Sequence, residues 1–184
     1  MTSRGQWTLV AVVVLVLGGL LGFAALASDS GGVVGPGAKA PEFSARTIPD
    51  SGQAPLVKGI TAYRGRPVLL NVWATWCAPC REEMPRIERL HQELGPAGLA
   101  VVAVSVDNPG MDEAIREFRR EMALSFEVLY DESGRIRDAY QTSGVPETFL
   151  IDRRGVVRRR LIGSSWTVDE QRPLLRDLIA EPAK

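Results

Sequence analysis

The sequence predicts an α/β fold, a central mixed β-sheet flanked by helices, with an N-terminal transmembrane helix ahead of it. Three observations carry this expectation. A β-branched and aromatic run at residues 68–74, VLLNVWA, reads as a strand buried on both faces. Met84, Ile87, Leu90 and Leu94 then recur at three- and four-residue steps, which gives a helix from about residue 77 to 94 with one core-facing stripe. A second β-branched run follows at 99–106, and strand, helix, strand in this order implies a parallel pair with a right-handed crossover.

The remaining elements extend the same pattern. Met111, Ile115, Phe118 and Met122 repeat the helical spacing after Asp107-Asn108-Pro109, which reads as a helix start, and the stripe is a core face rather than a ligand set. Residues 126–130 make a third strand. Residues 147–152 and 156–162 flank Asp152-Arg153-Arg154-Gly155, a connection whose glycine suits a hairpin. A closing amphipathic helix holds Leu174, Leu175, Leu178 and Ile179, its start blurred by Pro173. Arg158, Arg159 and Arg160 fall on a strand that alternates faces, so the run reads as a solvated edge.

Residues 8–27, TLVAVVVLVLGGLLGFAALA, carry no charge over 20 positions, enough for a helix to cross a hydrocarbon core of about 30 Å. Arg4 and the amino terminus should stay cytoplasmic, which places everything after the helix outside. The competing reading is a cleaved signal peptide ending at Ala25-Leu26-Ala27, but its apolar region would be longer than the usual ~7 to 15 residues. Both readings export the rest of the chain. The domain division is therefore an anchor at 1–27, a Gly-rich flexible linker at 28–40, and a folded domain at 41–184.

Composition narrows the chemistry. Basic and acidic side chains balance at 22 each, so no overall field draws the chain to nucleic acid. The two cysteines are too few for a disulfide framework or a closed zinc site, and His91 is the single histidine, so no metal is expected. The Gly-rich stretch lacks the Gly-Lys-Ser/Thr ending of a phosphate loop, and no cofactor is called for.

The two cysteines stand together in Trp76-Cys77-Ala78-Pro79-Cys80, between a buried strand and a helix. There the unsatisfied N–H groups and the helix dipole favour an anion, so Cys77 is expected to emerge exposed as the more acidic thiol and the nucleophile. Cys80, one turn on, is poised to resolve the mixed disulfide that Cys77 forms. Pro79 stiffens the turn at no cost in hydrogen bonds. Trp76 either offers an apolar surface to a partner or simply packs.

LNVWATWCAPCREEMP at 70–85 and GVPETFLID at 144–152, with GAKAPEF at 37–43, resemble the extracytoplasmic thioredoxin-like reductases of the TlpA, ResA and CcmG (DsbE) group. The resemblance covers most of residues 37–180 and implies a thioredoxin-like fold. It implies that the Val145-Pro146 bond is cis and sits beside the cysteines, freeing the Val145 backbone for an extended substrate, where sequence alone favours a trans proline at a strand start. Asn71 occupies the place of the buried aspartate of cytosolic thioredoxins. In the reductase group an acidic residue three positions after the second cysteine takes the resolving thiol's proton; here that is Glu83, whose other reading is a charge favourable to the helix dipole, with Glu147 as a second candidate.

The resemblance further implies a disulfide-containing exported protein as substrate, apocytochrome c before haem attachment in particular. It also implies a transmembrane thiol carrier as electron donor, since a dithiol in an oxidising compartment stays reduced only if electrons reach it. The lipid bilayer enters as a partner through residues 8–27. The rivals are a general disulfide reductase or oxidant with other clients, a peroxidase, disfavoured because Thr75-Trp76-Cys77 departs from the Thr-x-x-Cys setting, and a Cu(I)-binding thiol chaperone.

Overall fold

The computed structural model describes residues 33–49 and 53–182. Seven strands form one sheet: β1 (Ala45–Thr47), β2 (Val57–Lys58), β3 (Val68–Trp73), β4 (Ala100–Ser105), β5 (Glu127–Tyr130), β6 (Glu147–Ile151) and β7 (Val157–Ile162). Among the described residues four α-helices accompany them, α1 (Ala78–Leu94), α2 (Asp112–Glu121), the short α3 (Arg135–Ala139) and α4 (Val168–Ala180), with a 3-10 turn at Ile60–Tyr63. The strand order is β2-β1-β5-β4-β3-β6-β7. β3, β4 and β5 run parallel, and β6, β7, β1 and β2 each pair antiparallel with a neighbour, so the sheet is mixed.

The central strands are buried throughout because helices or chain segments cover both sheet faces. Alternation sends Leu69, Asn71 and Trp73 of β3 to one face, where Trp73 meets Phe118 of α2 with ring centroids 4.5 Å apart. Leu70 lies opposite Phe149 in the β3–β6 register, and on that other face Phe149 packs edge-to-face against Tyr140, which in turn meets Phe43. α4 begins where Thr167 and Glu170 form a reciprocal capping box, so its start is well before Pro173.

Three expectations are corrected. Asp107-Asn108-Pro109 does not start α2: the cap position is Met111, without a side-chain hydrogen bond, and the Asp107 carboxylate turns to the segment after β3 instead. The linker expected at 28–40 is packed from Val34 onward. Val34 is buried, the Gly37 N–H donates to Val157 O, the Val157 N–H donates to Ala38 O, and Ala40 donates to Gly155 O, so this strap closes part of the exposed β7 edge. The compact unit accordingly begins at Val34. The expected membrane helix at 8–27 lies outside the described residues; among those described, no helix is long and apolar enough to cross a membrane.

The arginine run is the third correction. Arg158 reaches Asp152 and Glu181, and Arg159 reaches Gln171 on α4. Arg160 is only 11% exposed; it binds the fully buried Glu147 carboxylate at 2.8 Å and donates to the carbonyls of Val34 and Gln141. A strand edge becomes a row of partnered cations because buried carboxylates and the strap's carbonyls lie within reach of it. Arg160→Ala would leave Glu147 buried without its counter-charge, an imbalance worth about 3 kcal/mol or more. Arg154→Ala, at a side chain 67% exposed, should change stability by less than about 1 kcal/mol. Urea unfolding of the oxidised protein checks both, and equal losses would contradict the contrast.

Candidate active site

β3 delivers the chain through Ala74, Thr75 and Trp76 to Cys77, which is the N-cap of α1. Its backbone is extended, and its Sγ accepts the Cys80 N–H at 3.1 Å, the place usually taken by a capping oxygen. Pro79 lies in the first turn, where its missing N–H has no helical partner to lose. Cys77 and Cys80 form a disulfide of 2.06 Å with their Cα atoms 5.2 Å apart. Cys77 does not emerge as expected: in the disulfide it is 3% exposed and Cys80 is 0% exposed. Trp76, at 66% exposed, stands out beside them, so its side chain is surface rather than packing.

The second segment of the resemblance comes to the same place. The Val145-Pro146 peptide is cis, and the Val145 carbonyl oxygen is 3.5 Å from Cys77 Sγ. Glu147, the next residue, is pinned at both oxygens: Oε1 accepts from the Ser143 N–H and hydroxyl at 2.8 and 2.7 Å, and Oε2 accepts from Arg160. A carboxylate engaged at both oxygens, one of them by a guanidinium, braces the proline corner.

Glu83 is a different kind of carboxyl. It is fully buried on α1, one turn after Cys80. Asn71 Nδ2 donates to its Oε1 at 2.5 Å and the Trp166 indole N–H donates to its Oε2 at 3.1 Å. Burial pushes the carboxyl up to about 7, while those two donors and the charge of Arg86 hold it back. The Asn71 amide also donates to Thr148 at 2.9 Å, and its own Oδ1 has no protein partner among the described residues.

Sequence reasoning did not find Asp107, Ser105 or Trp166. Asp107, 2% exposed, accepts from the Thr75 N–H at 3.0 Å, from the Thr75 hydroxyl at 2.7 Å and from the Ser105 hydroxyl at 2.7 Å. It therefore fixes the segment two residues before Cys77. The available signal was Ser105 and Asp107 two apart at the end of a strand, on one side of it and next to the strand that ends at the cysteines. Trp166 gave none, since it meets Glu83 across 83 residues of sequence.

No group of three or more metal-ligating side chains occurs among the described residues. A cavity of about 340 Å³ lined by Lys39, Tyr63, Arg64, Val68, Arg153 and others sits at the Val68 end of β3, opposite the end that leads to the disulfide. The chemistry at the cysteines is thus a thiol-disulfide pair at a helix start, next to a proline corner and a buried carboxyl.

Comparison with known proteins agrees with this geometry. The AhpC/TSA family profile matches residues 36–160. The thiol-disulfide oxidoreductase ResA of Oceanobacillus iheyensis is 29% identical over 178 residues, 96% of this chain and 91% of that one. The thioredoxin-like protein YneN of Bacillus subtilis is 35% identical over 162 residues, 86% of this chain and 91% of that one. A crystal structure described as a putative thiol:disulfide interchange protein DsbE from Chlorobium tepidum superposes with a TM-score of 0.64 at 30% identity, covering 79% of this chain and 96% of that one. With its disulfide at the start of α1 and relatives of this kind along nearly its whole length, the chain belongs to the AhpC/TSA family and is a thioredoxin-like thiol-disulfide oxidoreductase.

Proposed function

We propose that this oxidoreductase is anchored to the cell membrane by residues 8–27, faces the extracytoplasmic side, and reduces disulfides of exported proteins, apocytochrome c among them, during cytochrome c maturation. The observation that carries the thiol-disulfide exchange is the placement of Cys77 Sγ on the Cys80 N–H at the start of α1, with the Val145 carbonyl beside it. In the reduced enzyme that N–H and the helix dipole stabilise the Cys77 thiolate.

The cycle balances as follows. The Cys77 thiolate attacks one sulfur of the substrate disulfide, that S–S bond breaks, and the departing substrate sulfur takes up a proton. The Cys80 thiol passes its proton to the Glu83 carboxylate, and its thiolate attacks the Cys77 sulfur. The mixed disulfide breaks, the second substrate sulfur leaves as a thiolate and takes up a proton from water, and the Cys77–Cys80 disulfide closes, so two electrons have passed to the substrate. A transmembrane dithiol carrier returns two electrons to the enzyme. A carboxyl lifted to about 7 by burial suits the proton step, because its basicity lies closer to that of a thiol, near ~8.5, than an ordinary carboxylate's does. The exposed Trp76 and the cis Val145-Pro146 corner supply the surface on which an extended substrate segment lies.

Replacing Cys80 by Ser removes the resolving thiol. The account predicts that the variant accumulates dithiothreitol-sensitive adducts on Cys77 in cells, and that peptides bearing the haem-site cysteines of apocytochrome c are among them. Adducts with other exported proteins alone would leave a general reductase, and no adducts at all would sink the reductive cycle. A second prediction concerns stability. A carboxyl whose folded value lies near 7, above its ordinary 4.5, favours the folded state at low pH, and that contribution is lost as pH rises through the folded value. Glu83→Gln has no such charge to bury. In the oxidised protein, where the cysteines do not titrate, it should gain about 2 to 3 kcal/mol on the wild type between pH 5 and pH 8. Urea denaturation at the two pH values reads this, and a parallel pH dependence in both proteins would contradict it.

A further inference from the structure

The two oxygens of Glu83 are held by donors of different kinds. Oε1 faces the Asn71 amide, which can offer either N–H or C=O by turning about its own axis, and whose carbonyl oxygen has no protein partner among the described residues. Oε2 faces the Trp166 indole N–H, which can only donate. Trp166 is itself immobilised. It is 5% exposed, the Arg86 guanidinium lies 5.5 Å over its ring and donates to the Ser164 carbonyl, and the following residue, Thr167, is locked in the capping box of α4.

We infer that Trp166 is a positioning residue for Glu83: its N–H keeps Oε2 an acceptor in both protonation states, so that the proton is carried on Oε1 against a turned Asn71 amide and the carboxyl stays acidic enough to release it. The neutral acid then donates from Oε1 to Asn71 Oδ1, and the carboxylate accepts from Asn71 Nδ2. The groups that face Glu83 are few. They are, among the described residues, Asn71 on β3 with Thr148 of β6 behind it, Trp166 from the β7–α4 connection, and Arg86 on its own helix. Among the described residues the charge that acts on it is that of Arg86, so removing the indole donor is not masked by a neighbouring ion pair. Thr148 completes the arrangement by accepting from Asn71 in the ionised state and donating its hydroxyl to the turned amide in the neutral state.

This inference deepens the reading of Glu83 as the proton acceptor of Cys80 and rests on it for its functional meaning, but it is tested without it. In the full 184-residue chain, oxidised so that neither sulfur titrates, the Glu83 carboxyl carbon is followed by ¹³C NMR against pH. Trp166→Phe, which keeps an aromatic ring and deletes the donor, should raise the midpoint by about one pH unit, because a hydrogen bond to the charged form is lost. Should the smaller ring prevent folding, site-specific replacement of Trp166 by 3-benzothienylalanine keeps the bicyclic shape without the N–H, and the same rise is expected. An unmoved midpoint in a folded variant overturns the inference. The pH profile of disulfide reduction provides the separate arm. If it shifts with the carboxyl midpoint, and the shift vanishes in the Glu83→Gln background, both readings stand. If the carboxyl midpoint rises while the reduction profile stays in place, Trp166 still positions Glu83, and the proton-acceptor role of Glu83 is what fails.

Discussion

At the start of α1 a sulfur occupies the position where helices ordinarily carry a capping oxygen. Cys77 Sγ accepts the Cys80 N–H, so the same atom closes the helix end, holds the internal disulfide and, when reduced, meets the positive end of the helix dipole. The surrounding architecture serves that placement. β3 is buried along its whole length and fixes the point from which the chain leaves the sheet. Asp107 ties down Thr75 two residues earlier, Pro79 stiffens the first turn, and the Val145 carbonyl closes over the sulfur from the other side.

Three buried carboxyls surround this point, and their partners divide their roles. Glu147 has a guanidinium and serves as a fixed brace for the proline corner. Asp107 has hydroxyl and backbone donors and braces the approach to Cys77. Among the described residues Glu83 is hydrogen-bonded by the neutral donors Asn71 and Trp166, and burial lifts it to about 7, where a proton can move on and off near neutral pH. Acidic residues equally hidden from water thus differ in function because of what stands opposite them, and the loops and edge strands supply those partners.

Much of this was legible in the sequence. β3, α1 and β4 carry long apolar runs or a sustained 3.6-residue period, and the cysteines fall at their junction, so the redox pair could be located before any coordinates. β1, β2 and α3 span three, two and five residues, too few for a period to register. The strap at 34–40 reads as a tether because glycine and other small residues make up most of it. It is held through backbone bonds to the β7 edge, which composition does not reveal. Arg160 looked solvated for a related reason: its partners Glu147, Gln141 and Val34 lie 13, 19 and 126 residues away. Glu83 was found through a resemblance, while the tryptophan that binds it was not, since a single aromatic in a loop carries no positional signature.

The central claim is that helix geometry divides the two thiols into an acidic one and a resolving one. Its most direct measurement is the pH dependence of iodoacetamide alkylation at each cysteine of the reduced protein, read site by site by mass spectrometry. The account predicts that Cys77 reacts first, with a midpoint below the ~8.5 of a free thiol, and that Cys80 follows only at higher pH. Equal midpoints, or Cys80 reacting ahead of Cys77, would contradict it.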